Sequence, residues 1–141
     1  AETALHGTID AARLGGPADE EARALVRLVE IARLEHRHDE AMRWGIGALR
    51  IFEAMEDPAG IAEAERALAE TRRSAGDLSA AAGRLTAAIE RLGADAPRGP
   101  LGALWLALGE VQSIAGELNA AETAWKRADA LWREQGSPER V

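Results

Sequence analysis

There is no cysteine in these 141 residues, no tyrosine, and a single phenylalanine. Without thiols there can be neither a disulfide nor a thiolate metal site, and a reducing compartment is allowed. Aromatic residues make up 4% of the chain, while much of its 47% apolar fraction is alanine. That balance favours closely packed helices over a sheet sandwich. No apolar run approaches the ~20 residues needed to span a bilayer, and no signal-peptide pattern is visible; a cytoplasmic location is expected. The formal net charge of −7 argues against nucleic acid as a direct partner and agrees with a protein or peptide partner, with basic character favoured. There is no G-x-S-x-G elbow and no phosphate-binding P-loop. Gly45-Ile46-Gly47 falls in mid-helix and reads as close packing rather than a phosphate cradle. The three histidines, His6, His36 and His38, lack the three- or four-residue spacing of a helical metal pair. The carboxylates are scattered, and Glu56 with Asp57 marks a helix end. No catalytic residue, metal site or cofactor is expected, and the chain is not read as an enzyme.

What is present is a register. Residues 102–134 read GALWLALGEVQSIAGELNAAETAWKRADALWRE. Trp105 is followed by Leu108 and Gly109, Gly116 comes seven residues on, and Ala121, Trp125 and Ala128 follow at intervals of four and three. This resembles the tetratricopeptide repeat (TPR), whose pattern runs W-x2-L-G-x2-Y and then A-x3-F. Gln112 stands where that pattern has Tyr, and Trp125 where it has Phe. Gly109 and Ala121 resemble the family's close-contact pair, with Trp105, Leu108 and Trp125 supplying apolar area around it. Gly116 marks the turn, where positive φ ends a helix at little steric cost.

The pattern recurs every forty residues. Gly76-Asp77-Leu78 answers Gly116-Glu117-Leu118, and Leu78-Ser79-Ala80-Ala81 answers Leu118-Asn119-Ala120-Ala121. His38-Asp39-Glu40-Ala41 is an earlier copy, and Ala1-Glu2-Thr3-Ala4-Leu5 repeats Ala121-Glu122-Thr123-Ala124-Trp125 nearly letter for letter. The expected architecture is an all-α, right-handed α-solenoid of antiparallel helix hairpins, about 3.5 TPR-like repeats in seven helices. A half repeat spans 1–16, with repeats over 17–57, 58–96 and 97–136, in one domain read as a piece of a longer chain. A single hairpin cannot bury its own apolar face, so the hairpins must stack. The period exceeds the family's usual 34 residues. It looks more like the longer repeats of bacterial signalling and transcription regulators, and the Ala, Arg and Gly richness fits a GC-rich bacterial genome.

Three places depart from a regular pattern. His36 sits where Gly76 and Gly116 sit later, and if its φ is positive it costs of order 1 kcal/mol. Gly45 stands where Leu85 and Trp125 stand, with Trp44 placed to fill the gap. In the helix over 59–75, Glu65 and Arg72 occupy the positions of Trp105 and Gln112. Its alternative apolar stripe of Ile61, Ala64, Leu68, Thr71 and Ala75 predicts a tilted or loosely held helix. Of the tryptophans, Trp105 and Trp125 are expected in the core and Trp44 half-buried.

The resemblance implies that the first helix of each hairpin lines a concave, partner-binding groove. Its positions would be Val26, Glu30, Arg33 and Leu34, then Arg66, Glu70, Arg73 and Ser74, then Leu106, Glu110, Ser113 and Ile114. Glu30, Glu70 and Glu110 recur at one register. They are either a solvated face paired locally (Glu30–Arg33, Glu70–Arg73, Arg66–Glu70) or a ladder for a basic partner. Chaperone-binding members use a Lys/Asn clamp for a carboxylate; Val26 or Arg66 and Glu30 or Glu70 stand there, which disfavours that partner. On the last helix Ala128, Leu131 and Trp132 are expected on the outer face, with Trp125 turned into its own hairpin, which makes a homodimer through this helix a candidate. The functional expectation is a protein–protein interaction scaffold serving a larger regulator. The alternatives are a ligand-sensing arm, marked by an enclosed groove of about 300 Å3 or more, and a self-association module.

Overall fold

The computed structural model describes Glu2, Thr3, His6, 17–93 and 96–136. Among these residues there are six helices and no strand: α1 (Ala18–Leu34), α2 (His38–Ala54), α3 (Pro58–Ser74), α4 (Leu78–Leu92), α5 (Arg98–Ile114) and α6 (Leu118–Gly136). The seventh expected helix, over 1–14, lies largely outside the described residues; Glu2, Thr3 and His6 are helical. Each helix begins twenty residues after the one before it. Half of the forty-residue period is therefore itself a structural unit, one helix and one turn.

The turns explain the regularity. His36, Glu56, Gly76 and Gly116 have φ of 60°, 53°, 88° and 86°, again twenty or forty residues apart. At each, two N–H groups fold back on the helix that has just ended. Arg37 N–H donates to Ala32 C=O at 2.8 Å and His36 N–H to Arg33 C=O at 3.1 Å; the pairs Asp57–Phe52, Asp77–Arg72 and Glu117–Gln112 repeat the first bond. This is the Schellman closure, which satisfies carbonyls the helix end leaves bare. His36 has the positive φ its place in the repeat implied, and Glu56 shares it. A side chain in this region costs roughly 1–2 kcal/mol that glycine avoids. Asp57 and Asp77 then cap the following helices, accepting from Gly60 N–H at 3.2 Å and Ala80 N–H at 3.0 Å.

Neighbouring helices pack antiparallel in chain order. In addition α1 packs on α3 and α3 on α5, while α2, α4 and α6 make no comparable contacts with one another. The first helices thus crowd along one inner side and the second helices splay on the outer side. Small residues permit this spacing: Ala41, Ala81 and Ala121, one period apart, are each fully buried. Phe52, Leu28, Leu68, Leu85, Leu104 and Leu131 fill the core. The tryptophans do less than expected. Trp105 is half-buried, and Trp125 remains 39% exposed, its indole lying where a Cβ on Gly109 would be. The close partner of Gly109 is therefore Trp125.

Two further expectations are corrected. The gap at Gly45 is filled by Leu68 of α3, whose Cδ2 lies 2.4 Å from the place a Cβ would take; Trp44 is half-buried elsewhere, beneath the Arg37 guanidinium at 5.8 Å. And α3 is not loosely held. Ile61, Ala64, Leu68 and Thr71 are buried as the rotated stripe requires, although Ala75 is exposed. The helix touches α1, α2, α4 and α5. Its discordant residue, Glu65, is 5% exposed and reaches Arg84 Nη1 of α4 at 2.7 Å. A buried carboxylate is tolerated because a guanidinium meets it, which converts a mismatch in the apolar pattern into an inter-helix tie.

Candidate functional site

The inner side formed by α1, α3 and α5 carries two neighbouring open hollows. The first, of about 210 Å3, is lined by Val26, Arg27, Val29, Glu30 and Arg33 of α1 and by Glu63, Arg66, Ala67 and Glu70 of α3. The second, of about 320 Å3, is lined by Ala59, Ala62, Glu63 and Arg66 of α3 and by Gly99, Pro100 and Ala103 of α5. Glu63 and Arg66 belong to both. Each helix contributes one stripe at three- and four-residue spacing, the only spacing that keeps a helical stripe on one side.

Of the positions implied by the repeat register, Val26, Glu30, Arg33, Arg66 and Glu70 come together in the first hollow. Arg73 and Ser113 are half-buried and Ser74 and Glu110 exposed, outside both hollows. Leu34, Leu106 and Ile114 are exposed large apolar residues, at 67%, 37% and 56%. The register missed Arg27, Val29, Glu63 and Ala67 in the first hollow and Ala59, Ala62, Gly99, Pro100 and Ala103 in the second. Several of these were recoverable: Glu63 and Ala59 extend the Arg66–Glu70 stripe by one and two turns, and Ala103 and Gly99 are the same positions forty residues on.

Local charge differs from a plain acidic ladder. Glu70 accepts from Arg66 at 3.2 Å, as expected for that spacing, but its other oxygen faces Arg33 of the preceding repeat at 3.9 Å. Arg33 also donates to Ser74 Oγ at 3.4 Å. The expected pairs Glu30–Arg33 and Glu70–Arg73 do not form. One carboxylate is thus shared by two arginines across a repeat boundary. Glu30, Glu63 and Glu110 carry no ion pair among the described residues, nor do Arg27 and Arg73. The hollow holds three arginines and three glutamates, so it selects by arrangement and not by net sign.

A second charged centre lies at the first turn. Arg37 reaches Glu2 at 2.7 Å, Glu35 at 2.8 Å and Glu40 at 2.7 Å. Hydrogen bonding from Arg37 holds the Glu2 carboxyl below its usual range, and the same bonds to Glu2 and Glu35 push Arg37 further up. His6 meets the edge of Trp44 at 5.8 Å. His36 and His38 stand edge to face at 5.9 Å, and no group of three or more potential metal ligands occurs among the described residues.

The outer helix departs most from expectation. Ala128 and Leu131 are each 1% exposed, inside their own hairpin, where Leu131 packs with Ala96 and Leu101. Trp132 folds back: its indole N–H donates to Gly99 C=O at 3.1 Å and its ring lies against Gly102. An outer face made of Ala128, Leu131 and Trp132 therefore does not exist as such. The helix turns Ala121, Ala124, Ala128 and Leu131 inward and leaves Trp125 and Trp132 partly exposed.

No described helix is long and apolar enough to cross a membrane. No protein-family model matches the chain, and no curated protein does. Among solved structures, the chain is similar to a crystal structure of nearly identical TPR-like repeats from a protein described as a kinesin light chain of Podosopora anserina. The TM-score is 0.68 at 11% sequence identity, over 95% of this chain and 66% of that one. At that identity the likeness speaks for the fold. Helix order, the packing of adjacent helices and this likeness together make the chain an all-helical, TPR-like repeat solenoid.

Proposed function

We propose that this chain is a protein–protein interaction scaffold whose inner groove receives an extended stretch of polypeptide, as one arm of a larger bacterial regulator in the cytoplasm. The observation that carries it is the succession of two hollows along α1, α3 and α5, with Glu63 and Arg66 lining both. Two open hollows in succession across three helices suit an extended chain better than a small molecule, which is normally enclosed on most sides. The hollows' carboxylates without an ion pair among the described residues, Glu30 and Glu63, outnumber their one such guanidinium, Arg27, and favour basic side chains in the partner, while Glu70 is already held by Arg33 and Arg66. Past Arg66 the wall becomes Gly99, Pro100 and Ala103, so the partner's charged part lies toward α1 and its uncharged part toward α5.

Selection of displayed random peptides on the whole chain tests this. Binders should be enriched in Lys and Arg. The double substitution Glu30→Gln, Glu63→Gln should weaken them, less so as salt rises, because exposed charges are screened beyond ~10 Å at 0.1 M. Peptides with no basic bias, or binders indifferent to the double substitution, would remove the groove from consideration.

A further inference from the structure

The outer face of α6 can be read against the same face one repeat earlier. On α4 that face is Leu78, Ala82, Leu85, Ile89 and Leu92, all packed in the cluster completed by Leu104, Ala107, Leu108 and Val111 of α5. Forty residues on, the same positions are Leu118, Glu122, Trp125, Asp129 and Trp132. The three apolar positions remain apolar and stay 66%, 39% and 40% exposed. The two between them have become acidic. An α5-like helix could not lie here without burying both carboxylates against leucine, at the cost of an uncompensated charge. Whatever covers this face must answer those charges.

The face answers them itself. Glu122 pairs with Lys126 at 3.0 Å and Asp129 with Arg133 at 3.0 Å, all four side chains exposed. The order of signs along the helix is minus, plus, minus, plus. Under a twofold axis midway between Arg127 and Ala128, an antiparallel second helix sets Glu122 opposite Arg133 and Lys126 opposite Asp129. Both intrahelical pairs can then be traded for pairs between helices without leaving a charge unmatched. The same axis brings Trp125 and Trp132 of both copies along one edge of the contact. Isologous pairing of this kind requires a self-complementary patch.

We propose that a second copy of this chain covers this face, α6 against α6 in antiparallel register, with Leu118, Trp125 and Trp132 as the apolar edge and the four charges as the register lock. The surface lies outside the inner groove and its test is independent of the peptide test above. Sedimentation over a wide concentration range should show a monomer–dimer equilibrium that weakens as salt rises. An acidic variant, Lys126→Glu with Arg133→Glu, and a basic variant, Glu122→Lys with Asp129→Lys, should each dissociate about tenfold or more readily, because like charges then face one another. Mixing the two variants should restore a heterodimer. All four positions are exposed, and circular dichroism checks that both variants keep their helix content. A wild-type chain that stays monomeric at the highest attainable concentration overturns the proposal. So do variants that self-associate as wild type does, or a mixture that fails to recover association.

Discussion

The face between α3 and α4 and the face between α5 and α6 occupy the same place in successive repeats, and they are closed in different ways. In the first, Ala62 and Ala69 let α5 approach, and Leu85 is driven to full burial beneath it. In the second, Gly102 and Gly109 replace the alanines, and the indoles of Trp132 and Trp125 lie down on them. A neighbouring helix closes the face over α4; large side chains of the hairpin itself half-close the face over α6. Aromatic rings folded onto a bare helix backbone cover part of what a neighbouring helix would cover, and leave the rest of the face exposed. The residue at one register can play opposite roles depending on whether another helix packs over it.

That contrast can be broken most directly at the shared position. Leu85→Ala should cost about 2–5 kcal/mol, the range for emptying a closed leucine site, read as a fall in the urea midpoint. Trp125→Ala should cost less despite removing the larger side chain, since its ring is 39% in water already. An equal or greater loss at Trp125 would mean that the face over α6 is as structural as the face over α4. A smaller effect separates rigid from yielding closures. A Cβ at Gly60 would sit 2.1 Å from the Phe52 ring, which is 2% exposed and has nowhere to go. Gly60→Ala should therefore destabilise by about 1–3 kcal/mol through overpacking. A Cβ at Gly109 would sit 2.4 Å from Trp125 Nε1, but that ring can swing outward. There the better helix propensity of alanine, worth up to about 1 kcal/mol, should nearly offset the clash, with a change in tryptophan fluorescence as the ring moves. The smallest change brings the first turn to the standard of the last. His36→Gly should stabilise by about 1 kcal/mol by relieving φ of 60°, and no gain in thermal midpoint would mean that the His36 side chain offsets its own strain.

Much of the fold was legible because it repeats. Local rules, copied every forty residues, mark turns and close approaches: Gly76 and Gly116 as turns, and alanine at 41, 81 and 121 as the points of close approach. Even the strained His36 was inferable from its place in the register. Glu56 was not, because comparison at forty residues never aligns the turn after a second helix with the turn after a first. The twenty-residue unit that relates them is a property of the backbone and not of the letters.

What the letters determined alone was everything set by helix periodicity, capping and small-residue placement, since those act within a few residues of chain. Rotation and partnership were decided by tertiary packing. Glu65 looks like a defect until Arg84 arrives from the next helix, and Glu70 looks like one rung of an acidic ladder until Arg33 arrives from the previous repeat. Trp125 reads as core by its motif position, yet its burial depends on whether a helix lies above it. A side chain's electrostatic and solvent environment is a sum over neighbours far away in sequence, and no stretch of local pattern contains that sum.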